Sequence, residues 1–307
     1  MPEWLTERGI GETRMALVDG DDILEAQILL EGIAVAGRKL PARLVSVGPN
    51  AIARDESGQE YLLPNGAAGI SEGAKLDIVV TRSAIPGTEP WKRPLARVAG
   101  QSDGPADPVA ASAARLPESW NDLVEEARSG VVRFDGGELR ISPTPAMTLI
   151  DVDGRLPAEE LAVAGAAQAA KAIRRLDIGG SIGIDLPTVG GRASRQAAGA
   201  AIDANLAPPF ERTAVNGFGF VQIVRPRARA SLVELAQDRG PFEARALLRR
   251  AALETPGAMR LVAHPAVATV LQAKPEWLAE LARQVGGAVS LRAEPALPMS
   301  GGYAEKA

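Results

Sequence analysis

AMTLIDVDG (146–154) and SIGIDLPT (181–188) are the two stretches on which the reading of the fold turns. Each is a short apolar run that ends in aspartate, and between them lies ELAVAGAAQAAKAIRRLDIGG (160–180), an alanine-rich stretch of helical character. Its Lys171, Arg174 and Arg175 suit the negative end of a helix dipole, and Gly179 or Gly180 is expected to cap it. Strand, helix and strand in close succession make a βαβ unit, which predicts two parallel strands in one sheet. Side chains alternate along a strand, so Asp151 and Asp153 point the same way, and Asp185 ends the second strand at the equivalent place. Functional groups in open α/β sheets gather at that carboxyl edge.

Three carboxylates meeting there would repel one another unless a cation lay between them. Magnesium takes oxygen ligands and keeps part of its water shell, so Mg²⁺ on Asp151, Asp153 and Asp185 is the chemical expectation, with all three as catalytic candidates. The alternative is that these aspartates merely end strands before turns. Between Lys171 and Arg229 stand nine Lys or Arg against four acids, a local excess of +5 in a chain whose net charge is −4. Arg225, Arg227 and Arg229 alternate, and with Lys171, Arg174, Arg175, Arg192 and Arg195 they read either as phosphate contacts or as a solvated helix end and a charged edge strand. GRASRQ (191–196) is equally a basic loop or a polar helix start.

Upstream, RMALVDGDDILEAQILL (14–30) reads as a hairpin turning at Asp19-Gly20. ARLVSVG, AIARDE, EYLLPNG, LDIVVTR and RPLARVA, between residues 39 and 99, are short strands separated by turn residues and predict a small β-barrel. Residues 100–116 are rich in Gly, Pro, Ala and Asp and read as a linker. ESWNDLVEEARSG predicts a helix, and GVVRFDGG with ELRISP a second hairpin. Beyond the βαβ unit come a helix near 194–204 and a strand in GFGFVQIVRPR. The tail alternates helix and strand, with AVATVLQAKPEWLAELARQVG (266–286) as one helix and AVSLRAEPAL as the last strand. The expected division is 1–38 as strands packing on the catalytic unit, 39–99 as the barrel, 100–116 as linker, 117–235 as the catalytic α/β unit and 236–307 as a small C-terminal α/β unit.

The chain's 307 residues include no cysteine and a single histidine, His264. That removes thiol chemistry, disulfides and cysteine-bridged zinc, and excludes RNA cleavage by a histidine pair. His264, in a strand-to-turn segment, is expected to be structural, and Trp120 and Trp277 to be core. No apolar run reaches the roughly 18 residues a membrane span needs, and the charged start lacks a secretory signal, so a cytoplasmic protein is expected.

In chain order, RMALVDG (14–20), DLVEEARSGVVRFDGGELRISP (122–143), AMTLIDVDG (146–154), IRRLDIGGSIGIDLPTV (173–189), NGFGFVQIVRPR (216–227) and FEARALLRRAALETPGAMRLVAHPAVATVL (242–271) resemble the ribonuclease E/G family. The resemblance implies an S1-like oligonucleotide-binding barrel, an RNase H-like or nuclease-like α/β unit and a small C-terminal α/β unit. It further implies Mg²⁺-dependent endonucleolytic cutting of single-stranded RNA that leaves a 5′-phosphate. Asp151 and Asp185 match the family's metal-site aspartates; Asp153 stands where Asn is usual, Gly217 where Arg is, and Gln222 where Glu is. The 5′-end sensor is missing between the barrel and Leu116, which implies indifference to a 5′-monophosphate. The zinc-link cysteines are replaced by AQDRGPFEAR (236–245), so a homodimer could not be zinc-bridged. Tyr61 and Trp91 are the barrel's candidates for base stacking, with Arg82, Lys92 and Arg93 near one rim. The rival expectation is an RNA-binding protein of the same fold with weak or no cleavage.

Overall fold

The computed structural model describes residues 1–87, 89, 92–100 and 111–306. The chain opens with β1 (Glu3–Arg8), β2 (Glu12–Asp19) and β3 (Asp22–Leu30), an antiparallel meander whose second turn is Gly20 at φ +63°. The sequence announced only β2 and β3, because β1 carries no fully buried residue and so lacks the apolar alternation of a strand with one face in the core. Five strands follow: β4 (Lys39–Ser46), β5 (Ala51–Asp55), β6 (Glu60–Leu63), β7 (Lys75–Arg82) and β8 (Leu95–Val98). They close into a barrel in the order β4-β5-β6-β8-β7. Its interior mixes Ala42, Ala51, Ala53 and Ala96 with Leu44, Leu63, Ile78 and Val80, small and larger side chains together filling a narrow cylinder.

Tyr61 is also inside, 2% exposed, its hydroxyl donating to Asp55 Oδ2 at 3.0 Å. Burial and the Asp55 carboxylate push that hydroxyl far above its ordinary range. A ring in the barrel core cannot stack on a base, which corrects the expectation for Tyr61; Trp91 lies outside the described residues. The linker expectation is likewise only partly met. Residues 101–110 lie outside the described residues, but β9 (Ser112–Ala113) pairs in parallel with β1, and Leu116 is 3% exposed.

The largest sheet begins after α1 (Ser119–Ser129), which Gly130 ends in a left-handed turn. β10 (Val131–Phe134), β11 (Gly137–Pro143) and β12 (Thr148–Gly154) lead to α2 (Ala158–Arg175) and β13 (Gly180–Asp185). Then come α3 (Arg192–Asn205), β14 (Glu211–Arg212) and β15 (Phe220–Arg225), giving the order β10-β11-β12-β13-β15-β14. The predicted parallel pair is present: β12 and β13 run side by side and the other pairings are antiparallel. α2 buries a face of Ala, Leu and Ile, and a Cβ at Gly165 would stand 2.3 Å from Val152, so glycine lets helix and sheet approach closely. One apolar cluster joins this helix, the large sheet and Ala16, Val18, Ala26 and Ile28 of the N-terminal meander. The left-handed residue ending α2 is Asp177 at φ +54°, while Gly180, at φ +84°, opens β13 instead of capping the helix.

α4 (Leu232–Gln237) and α5 (Arg239–Ala252) lead to β16 (Met259–Ala263), α6 (Pro265–Gln272), α7 (Pro275–Val285), β17 (Val289–Ala293) and β18 (Tyr303–Lys306). β16 and β17 are parallel, and β18 adds an antiparallel strand that the sequence did not announce. The single helix expected over 266–286 is two. Pro275 has no N–H to donate and pushes Lys274 out of the helical region, to φ −129° and ψ 62°. His264 caps α6, its Nδ1 accepting from Ala266 N at 3.1 Å, and Trp120 is 1% exposed, in the core. Trp277 packs against the second apolar cluster. Among the described residues no helix is long and apolar enough to cross a membrane.

Candidate functional site

Along β12 burial alternates strictly: Thr148, Ile150 and Val152 face the core, whereas Leu149, Asp151 and Asp153 face outward. The same face of β13 ends in exposed Asp185. Cross-strand registers connect these residues into one row. Arg140 of β11 stands opposite Asp151, Asp151 beside Asp185, and Asp185 opposite Phe220 of β15. Adjacent strands lie about 4.8 Å apart, so a cation, two carboxylates and an aromatic ring follow one another across an open sheet face. The two aspartates are neighbours because β12 and β13 both finish at the same edge, where α2 and α3 begin.

Asp153 sits one step further out, opposite Glu138 and past the last paired residue of β13. Among the described residues no group of three His, Cys, Asp or Glu side chains is close enough to hold a metal ion. The expectation of three converging ligands is thereby narrowed to the Asp151–Asp185 pair, with Asp153 beyond its immediate reach. Partial burial, then the charges of Asp153 and Asp185, raise the Asp151 carboxyl above its ordinary 3.8, only partly offset by the Val152 N–H and by Arg140. A site whose own charges penalise its ionisation is electrostatically suited to a cation. Two neighbouring carboxylates fit magnesium, which uses one or two carboxylates and fills its remaining positions with water and phosphate oxygens.

The arginines divide into two groups. Arg192 and Arg195 open α3 at the aspartate edge; Arg192 is exposed, and Arg195 donates to the carbonyls of Val189 and Gly190 at 3.2 and 3.0 Å. The others lie at the opposite edge. β15 runs antiparallel to β13, which sets Arg225 opposite Gly180, at the far end of the strand from Asp185. Arg225 is spent on the carbonyl of Ile178 at 3.0 Å. Arg174 pairs with Glu25 and Arg175 with Glu126, both at 2.6 Å; Arg227 pairs with Glu234, and Arg229 with Asp177 at 2.8 Å. The reading of one basic groove around the aspartates is therefore corrected: Pro226 ends the strand, and closeness in sequence placed these residues across the sheet from the carboxylates. Lys171 is exposed near the far end of α2. On the barrel, Lys92 pairs with Glu89 at 3.2 Å and Arg93 with Glu60 at 3.7 Å.

Sequence reasoning missed Arg140, Arg155 and Phe220. Arg140 was findable, since residues of one hairpin strand that share the aspartate face follow once the register is set by Asp135-Gly136-Gly137. Arg155 is exposed immediately past β12, beside the aspartate edge. A scan against protein-family models and a search of the curated proteins give no match to this chain.

Proposed function

We propose that the protein is a Mg²⁺-dependent endoribonuclease acting on single-stranded RNA, organised like the ribonuclease E/G family but indifferent to a 5′-monophosphate. The observation that carries this reading is the row Arg140–Asp151–Asp185, carboxylates adjacent on parallel strands with no ion-pair partner of their own among the described residues. The barrel supports it as well. Counted along the chain its strands run first-second-third-fifth-fourth and close on the first, the order of an oligonucleotide-binding fold of the S1 type. We read the large sheet, with its central parallel pair, as the RNase H-like or nuclease-like α/β unit that the resemblance implies.

When bound, magnesium supplies polarisation of the phosphodiester and a water acidic enough to attack it. Asp151 and Asp185 would hold that ion, and Asp153, next along the same strand face, would orient a water for it. Arg192, Arg155 and the N-terminus of α3, which carries no acid in its first turn, attract the RNA backbone toward the edge. Arg140, which also pairs with Glu138 at 2.5 Å, keeps a positive charge beside Asp151. The test is cleavage of a single-stranded RNA with magnesium present, beside Asp151→Asn and Asp185→Asn. Both substitutions are expected to abolish metal-dependent cutting; activity surviving in both removes the site.

A second reading, an RNA-binding protein with little or no cleavage, draws on one observation: no three acidic or histidine side chains among the described residues converge on a metal position. RNA binding by the unaltered protein without metal-dependent cutting would establish it.

A further inference from the structure

Phe218 is 81% exposed, the most exposed aromatic ring among the described residues. Its position is fixed, not frayed. Asn216 Oδ1 accepts the N–H groups of Phe218 and Phe220 at 2.9 and 3.0 Å, and Thr188 Oγ1 donates to the Phe218 carbonyl at 3.0 Å. Gly219, at φ +90°, lies so close to the chain leaving β13 that a Cβ there would stand 2.2 Å from the Leu186 carbonyl oxygen. This turn therefore holds a large apolar side chain out in solvent, two residues before the strand partner of Asp185. The ring of Phe220 lies over Gly183, which Leu149, 39% exposed, also approaches, so an apolar patch sits on the sheet face two residues along the chain from Phe218. The barrel's Tyr61, by contrast, is buried.

We infer that Phe218 is a stacking platform for a base next to the scissile phosphodiester, so that the site selects unpaired nucleotides. This rests on the nuclease reading above. A base stacks on any aromatic face whatever its sequence, but only if it is free of a duplex. Placed beside the carboxylate pair, such a face orients the backbone between ring and metal site.

The experiment measures binding and cleavage of a single-stranded RNA carrying a fluorescent purine analogue at successive positions, with wild type, Phe218→Trp, Phe218→Leu and Phe218→Ala. Stacking predicts that Trp preserves affinity, while Leu and Ala lose it by roughly 5- to 150-fold, with KM rising more than kcat falls. An RNA lacking the base at the quenched position should bind wild type as poorly as it binds Phe218→Ala. Because Phe218 is exposed, all variants should melt with wild type. If Leu serves as well as Phe, or if Ala changes neither affinity nor base quenching while wild type still cuts, the inference fails. If wild type neither binds nor cuts single-stranded RNA, the nuclease reading fails and takes the inference with it.

Discussion

Two sets of carboxylates in this molecule are treated in opposite ways. Where the N-terminal sheet meets α5, Glu12 is 6% exposed and touches both Arg14 and Arg245, the latter at 2.9 Å. Glu7 accepts from Arg14 at 2.9 Å, from Arg249 at 2.7 Å and from Leu116 N at 2.9 Å. Burial alone would raise Glu7, but those hydrogen bonds and the charges of Arg249 and Arg14 outweigh it and hold the carboxyl below its ordinary 4.5. Asp151 and Asp185 are exposed and adjacent, among the described residues neither has an ion-pair partner, and Asp151 is held above its ordinary value. Carboxylates that serve the fold are each given a guanidinium. On the proposed reading, those left facing one another on an open sheet await a charge from outside the chain.

Breaking the first set should have the largest effect on folding. Glu12→Gln leaves the buried Arg245 without its counter-charge and Arg14 with Glu7 alone, a loss of about 3–5 kcal/mol, read in calorimetry as a Tm drop on the order of 10 °C. Asp185→Asn, with divalent cations removed, should show no such drop; a comparable loss there would erase the contrast.

Acid should separate the two sets next. A depressed carboxyl contributes stability that is present above its unfolded value and lost as pH falls through the folded one. Glu7→Gln should therefore flatten the acid limb of the stability curve below pH 4.5. A raised carboxyl acts with the opposite sign: its contribution is present below the unfolded value and lost as pH rises through the folded one. Asp151→Asn should thus gain a little stability over wild type as the pH rises above 3.8, a small increase in Tm since the group is mostly exposed. Saturating magnesium should erase that gain by stabilising only the wild type.

The smallest expected effect concerns the edge itself. A Cβ at Gly217 would meet nothing within 4 Å, so Gly217→Arg adds a cation near the aspartates without a clash. RNA binding should tighten a few-fold at low salt, with the salt slope steeper by about 1. Unchanged affinity would mean that the backbone does not pass this turn.

How much of this was legible beforehand follows the physics of each element. The five barrel strands and the βαβ unit were readable because alternation and turn residues are local signals, and the aspartates because strand ends are. β1 was not, as its sequence lacks a one-sided apolar pattern, nor was β18, which borrows its place from β16. The arginine groove failed because an antiparallel strand returns its far end to the opposite edge, a fact of pairing that composition does not carry. Tyr61 failed because which face of a barrel strand points inward depends on closure. Phe218 did leave a signal: an aromatic between two glycines in a turn has nothing local to pack against.

The most direct measurement is calorimetric titration of the protein with Mn²⁺ standing in for Mg²⁺, beside Asp185→Asn and Asp151→Asn. The account predicts one site in the unaltered chain, lost in both variants while their folding is intact. Equal binding in all three proteins, or none in any, would contradict it.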